Sequence, residues 1–153
     1  MFARRGKKLS FWHRHGLGIV SAAILVLWAV LYVWADPNTH WGSFFGNAIA
    51  DWSGVVVTVY ATKFLYEIGS EESRRPSPKH LKPLLLWMYD HSLTLFLVVS
   101  GIGWIVLFAH SDPQGKWGQV VGNIVSEWTQ ILGLVILTKK LIEWGSKESG
   151  QKQ

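Results

Sequence analysis

Four long apolar stretches, separated by short polar interruptions, set the pattern of this chain. Residues 16–34 run without a charge, and residues 92–109 run without an ionised side chain. Residues 44–66 and 120–142 are longer and carry a few polar positions. A helix needs roughly 20 residues to cross a hydrocarbon layer of about 30 Å, so each stretch is long enough to span a bilayer. The pattern therefore predicts an all-α membrane protein with four transmembrane helices.

The polar interruptions pair these helices into hairpins. Asp36-Pro37 follows the first stretch and Asp112-Pro113 follows the third. Proline fixes φ and cannot continue a helix, so both sites predict a tight turn. Gly69 and Gly145 stand where a glycine ending the second helix of each hairpin is expected. Between the hairpins lies a charged segment holding Pro76, Pro78 and Pro83, which excludes a regular helix throughout. Residues 84–90 are expected to lie along the membrane surface or to lead into the third helix.

The hairpins are also copies of each other. Residues 15–73 align with residues 91–149 at a constant offset of 76 without a gap. The identities include His15/His91, Trp28/Trp104, Trp41-Gly42/Trp117-Gly118, Gly46-Asn47/Gly122-Asn123, Trp52/Trp128, Thr62-Lys63/Thr138-Lys139 and Glu67/Glu143. Asp51 answers to Glu127, which changes the side chain and keeps the carboxylate. The expected organisation is a basic tail (1–15), a first hairpin repeat (16–69), a linker with an interfacial segment (70–90), a second hairpin repeat (91–145) and a polar tail (146–153). An even number of spans per repeat makes the two copies parallel, with a pseudosymmetry axis along the membrane normal.

Charge orients the hairpins. Of 15 Lys and Arg residues, only Lys116 falls in a turn between the helices of a hairpin. The rest lie in the tails, the linker and the linker-side ends of the helices. The positive-inside rule then places both termini and the linker in the cytoplasm, in a plasma-membrane protein. Trp34, Trp41 and Trp117 mark the outer interface, and Trp12, Trp87 and Trp144 the inner one. The repeat also decides how to read the first stretch, because an internal copy of it cannot be a signal peptide, so it is read as a retained helix.

Composition alters this picture little. Apolar residues make up 49% of 153 residues and ten are tryptophan. The net charge of +5 is explained by topology and by attraction to anionic lipid headgroups; no nucleic-acid recognition module accompanies it. The absence of cysteine excludes disulfides and thiolate-bound metal.

Candidate chemistry is confined to the second helix of each hairpin. Gly42, Gly46, Ala50 and Gly54 recur at intervals of four, as do Gly118, Gly122 and Ser126. Small residues so spaced let helices approach closely in lipid, which makes these two faces the expected packing surfaces. Beside them stand Asn47 with Asp51, and Asn123 with Glu127, each pair one helical turn apart. The carboxylates lie roughly 15 Å down the helix from the outer tryptophan, near mid-membrane. A charged side chain there costs about 2.5–3.5 kcal/mol on insertion scales, so two at equivalent depth demand a reason.

Two readings compete. In one, Asn47, Asp51, Asn123 and Glu127 line a path for a small cation or a proton, as acidic rings do in cation pores. In the other, the acids accept hydrogen bonds from buried indoles at the same depth, Trp28 to Asp51 and Trp104 to Glu127. The readings differ in geometry: a pathway needs the polar groups converging on a space open to water, whereas a structural role has them plugged by tryptophan.

Other candidates are weaker. His15 and His91 stand at the inner interface, where anchoring is expected over pH sensing. Lys63/Glu67 and Lys139/Glu143 read as surface ion pairs four residues apart. Asp36 with His40 and Asp112 with His110 do not repeat a ligand spacing, so no metal site is expected. No nucleophile with a base, phosphate loop or HExxH run is present, so neither an enzyme nor a cofactor is expected. The expected partners are the lipid bilayer, further copies of the chain or other membrane proteins, and a small cation or proton. A non-transporting accessory subunit that binds other membrane helices through its glycine faces is the alternative.

Overall fold

The computed structural model describes residues 11–70 and 80–141. These residues are all-α, in five helices: α1 (Phe11–Trp34), α2 (His40–Phe64), α3 (Pro83–Asp90), α4 (Ser92–His110) and α5 (Lys116–Leu137). Helix α1 packs on α2, α2 on α5, and α5 on α4. The four long helices therefore follow one another in space as α1, α2, α5, α4, with α2 and α5 in the middle.

Three helices are long and apolar enough to cross a membrane: Arg14–Trp34 of α1, all of α4 and all of α5. On that criterion of length and composition the chain is a multi-pass membrane protein. Its surface agrees, since Val26, Val30 and Val33 on α1 and Val99, Ile102 and Val106 on α4 are exposed. Apolar surface of this extent does not persist in water, and lipid is the solvent that matches it. Helix α2 has 25 residues but breaks its apolar run with Asn47, Asp51 and Lys63.

The turns form as their sequences demand. Asp36 Oδ1 accepts from the Asn38 amide at 2.9 Å, and Thr39 caps α2 by accepting from the Gly42 amide at 3.1 Å. Asp112 Oδ1 accepts from the Gln114 amide at 3.0 Å in the second turn. Such side-chain acceptors replace the partners that backbone N–H groups lose at a helix start. Gly42 and Gly118 are required here, because a Cβ at either would stand within 2 Å of the Asp36 or Asp112 carbonyl oxygen. Lys116 ties the two hairpins at this end. Its Nζ donates to the carbonyls of Ala35 at 2.6 Å and Val33 at 3.1 Å, closing the end of α1, and its own carbonyl accepts from the Tyr32 hydroxyl at 2.6 Å.

Two expected helix ends move. Helix α2 stops at Phe64, with Leu65 extended, and Gly69 at φ 80° serves a separate turn whose Ser70 amide donates to the Glu67 carbonyl. The cause is tertiary. Tyr66 leaves the helix to bond the start of α4, its amide donating to Ser92 Oγ and its carbonyl accepting from the Leu93 amide. Helix α5 ends at Leu137, short of residue 142. Gly145 and Trp144, the tail 1–10 and most of the proline-bearing linker lie outside the described residues. The segment expected beyond the linker forms α3, which opens on Pro83 at its first turn and breaks from α4 at His91.

Candidate functional site

The seam between α2 and α5 brings together the four polar residues singled out from the sequence. Asp51 lies near the middle of α2, and Glu127 near the middle of α5. Asn47 stands one turn from Asp51 and Asn123 one turn from Glu127, so each helix presents an amide and a carboxylate to the same line. The Asn123 amide nitrogen donates to Asn47 Oδ1 at 2.5 Å across the seam. Asn47, Asp51, Asn123, Ser126 and Glu127 together line an open groove of about 250 Å³. Asp51 and Asn47 are exposed, and Asn123 and Glu127 are half-buried.

Gly54 makes this arrangement possible. A Cβ there would lie 3.0 Å from Glu127 Oε2, so the bare backbone of α2 leaves the space that the Glu127 carboxylate uses. Among the described residues, neither Asp51 nor Glu127 has a salt-bridge partner. The groove thus collects two carboxylates and two amides, all oxygen-bearing groups suited to a hard cation or to protons.

The proposed indole partners are not there. Trp28 Nε1 is buried without any hydrogen-bond partner, and its ring packs against Phe44 and Phe45 at 5.7 and 5.9 Å between centroids. No hydrogen bond joins Trp104 to Glu127; Trp104 instead packs edge-on against Trp128 at 5.7 Å. Aromatic neighbours capture both rings, while the acids turn to the seam. The tryptophan that does find a partner is Trp128, whose Nε1 donates to Ser100 Oγ at 2.8 Å across α4 and α5. An indole facing a hydroxyl from a neighbouring helix has no signature in periodicity or in the repeat, since Ile24 replaces Ser100 in the first copy.

The small residues do not form one common stripe. Gly42 and Gly118 serve their own turns, Gly46 faces the Tyr32 ring and Gly122 faces the Phe108 ring within each hairpin. Ala50 is buried in the core, Gly54 accommodates Glu127, and Ser126 lines the groove.

A second polar cluster lies at the linker end and differs from the surface pairs expected there. Glu67 is fully buried and binds Lys139 of the other hairpin in place of Lys63. Its Oε1 also meets His91 Nδ1 at 2.7 Å, and its Oε2 accepts from the Thr94 amide at 3.2 Å. Burial alone pushes the Glu67 carboxyl up. Hydrogen bonds from Lys139, Thr94 and His91 outweigh it and hold the carboxyl below its ordinary value of 4.5. Glu67 also caps α4, whose own N-cap residue His91 contributes no side-chain bond. The repeated Lys-Glu pair was the available signal, but spacing alone suggested a local bond.

Asp36 and Asp112 are occupied in organising their turns, and His110 Nδ1 faces the Val106 carbonyl at 2.8 Å. Among the described residues no group of three His, Asp or Glu side chains converges to hold a metal ion. Comparison with protein-family models, curated proteins and solved structures finds no match to this chain.

Proposed function

We propose that the chain is a four-span membrane protein of two parallel-oriented hairpin repeats, whose oligomer carries a small cation or a proton through the α2–α5 groove. Asn47, Asp51, Asn123 and Glu127 form the pathway. The observation that carries this reading is their convergence, from two helices, on one open groove that no tryptophan plugs.

The energetics favour the same reading. Helix α2, at 25 residues and about 37 Å, is long enough to cross beside its neighbours. Two carboxylates at mid-height without a basic partner are costly against hydrocarbon, and water, a cation or a bound proton relieves that cost. An open groove on the flank of one chain needs protein to cover it, which is why an oligomer is part of the proposal. The charge asymmetry of the sequence puts the linker and tails on the cytoplasmic side.

The test is flux in reconstituted vesicles. Asp51→Asn combined with Glu127→Gln abolishes cation or proton flux and leaves oligomer size unchanged. Wild-type vesicles that pass none of the tested cations overturn the transport reading in favour of an accessory subunit whose groove is filled by another membrane protein.

A further inference from the structure

We propose that Glu143 closes a second carboxylate lock at the linker end, seated against Lys63 and His15 of its own chain. The inference rests on the repeat reading of the preceding subsection and on an asymmetry in what the two halves hold.

In the first half of that relation, the carboxylate of Glu67 crosses from the end of α2 to the other hairpin, where it meets His91 and Lys139. Shifting each residue by 76 positions converts Glu67 to Glu143, His91 to His15 and Lys139 to Lys63. The receiving groups are already assembled. Lys63 Nζ lies 3.0 Å from His15 Nδ1 and 3.4 Å from the Arg14 carbonyl. Around them Arg14, His15, Gly18, Tyr60 and Lys63 line a cavity of about 310 Å³. Among the described residues no carboxylate pairs with Lys63. A lysine, an imidazole and a nearby guanidinium gathered around an open space suit a carboxylate, and the duplicated sequence supplies one four residues beyond Lys139.

The two receptors are not equal. At the first, the break at His91 frees the Thr94 amide for Glu67. At the second, α1 runs unbroken from Phe11 through His15 and keeps the Gly18 amide inside the helix. Glu143 therefore gains side-chain partners but no backbone donor, and its lock is the weaker of the two.

The absence of native cysteine allows a direct test in the full-length chain. Lys63→Cys with Glu143→Cys is treated with a short bifunctional thiol reagent in membranes, beside Glu67→Cys with Lys139→Cys as reference. Efficient cross-linking within one chain in both pairs is the expected result. Cross-linking of the reference alone, or cross-links at Lys63 and Glu143 that join two chains, overturns the proposal. A charge exchange adds an energetic readout. Lys63→Glu and Glu143→Lys each lower the unfolding midpoint by about 2–4 °C, and the double exchange restores most of that loss. Equal loss in the double exchange overturns the pairing. Neither readout depends on transport, so a failure here is distinguishable from a failure of the flux experiment.

Discussion

Glu67 is the residue whose role changed most between sequence and structure. Four-residue spacing from Lys63 predicts a local pair worth a few tenths of a kcal/mol. The chain instead leaves the helix at Leu65 and delivers the carboxylate, fully buried, to three donors of the other hairpin. A buried carboxylate with charged partners is costly to strip, so Glu67→Gln is expected to destabilise by about 1.5–3 kcal/mol, read as a shift in thermal unfolding in detergent. The folded-state value of Glu67 is lowered, so its contribution is complete above the unfolded value of 4.5 and is lost as pH falls through the folded value. The wild type should therefore lose stability in that acid range faster than Glu67→Gln does, and parallel pH profiles would refute the assignment. The two tryptophans give a second contrast at this scale. Trp128 donates to Ser100, whereas Trp28 Nε1 is buried and unpaired. Truncation to phenylalanine removes similar volume from both, so Trp128→Phe is expected to cost about 1 kcal/mol more than Trp28→Phe in the same unfolding assay. Asn47, Asp51, Asn123 and Glu127 were legible from the sequence because intramembrane polarity repeated at one offset is a strong signal. The indole pairings were not, because depth along a helix fixes height and leaves direction open.

At the scale of elements, apolar runs and turn residues located the long helices, and tertiary bonds relocated their ends. Asp36-Pro37 and Asp112-Pro113 mark turns because each aspartate accepts from an amide two residues on. The end of α2 could not be read from Gly69, since the bonds from Tyr66 to Ser92 and Leu93 draw the chain out five residues earlier. The glycines were visible as a stripe, yet the structure gives them separate tasks. Gly42 tolerates no Cβ, as one would lie 1.8 Å from the Asp36 carbonyl, whereas nothing stands within 4 Å of a Cβ at Gly103. Gly42→Ala is expected to lose at least about 1–3 kcal/mol, and Gly103→Ala to be neutral or to gain about 0.5–1 kcal/mol from helix propensity. Thermal midpoints of the two variants that coincide would contradict the turn geometry.

Across the whole molecule, the helices follow one another as α1, α2, α5, α4, which puts the polar seam at the junction of the hairpins. That junction was only half legible. Repetition predicted that the two polar pairs share a depth, but nothing in a single sequence says that α2 meets α5 rather than another chain. Lys116 illustrates the same limit. It is the one basic residue on the wrong side of the charge asymmetry, and the structure accounts for it by the carbonyls of Val33 and Ala35 that it holds. That tether has a mechanical corollary. With the far tips of the hairpins pinned by Lys116 and Tyr32, relative rocking must pivot there, and the widest travel falls at the opposite rim, where Glu67 acts as the latch. Loosening the latch would let the waist of the molecule gape while the pinned rim stays shut, so any gating of the groove is levered from the linker side.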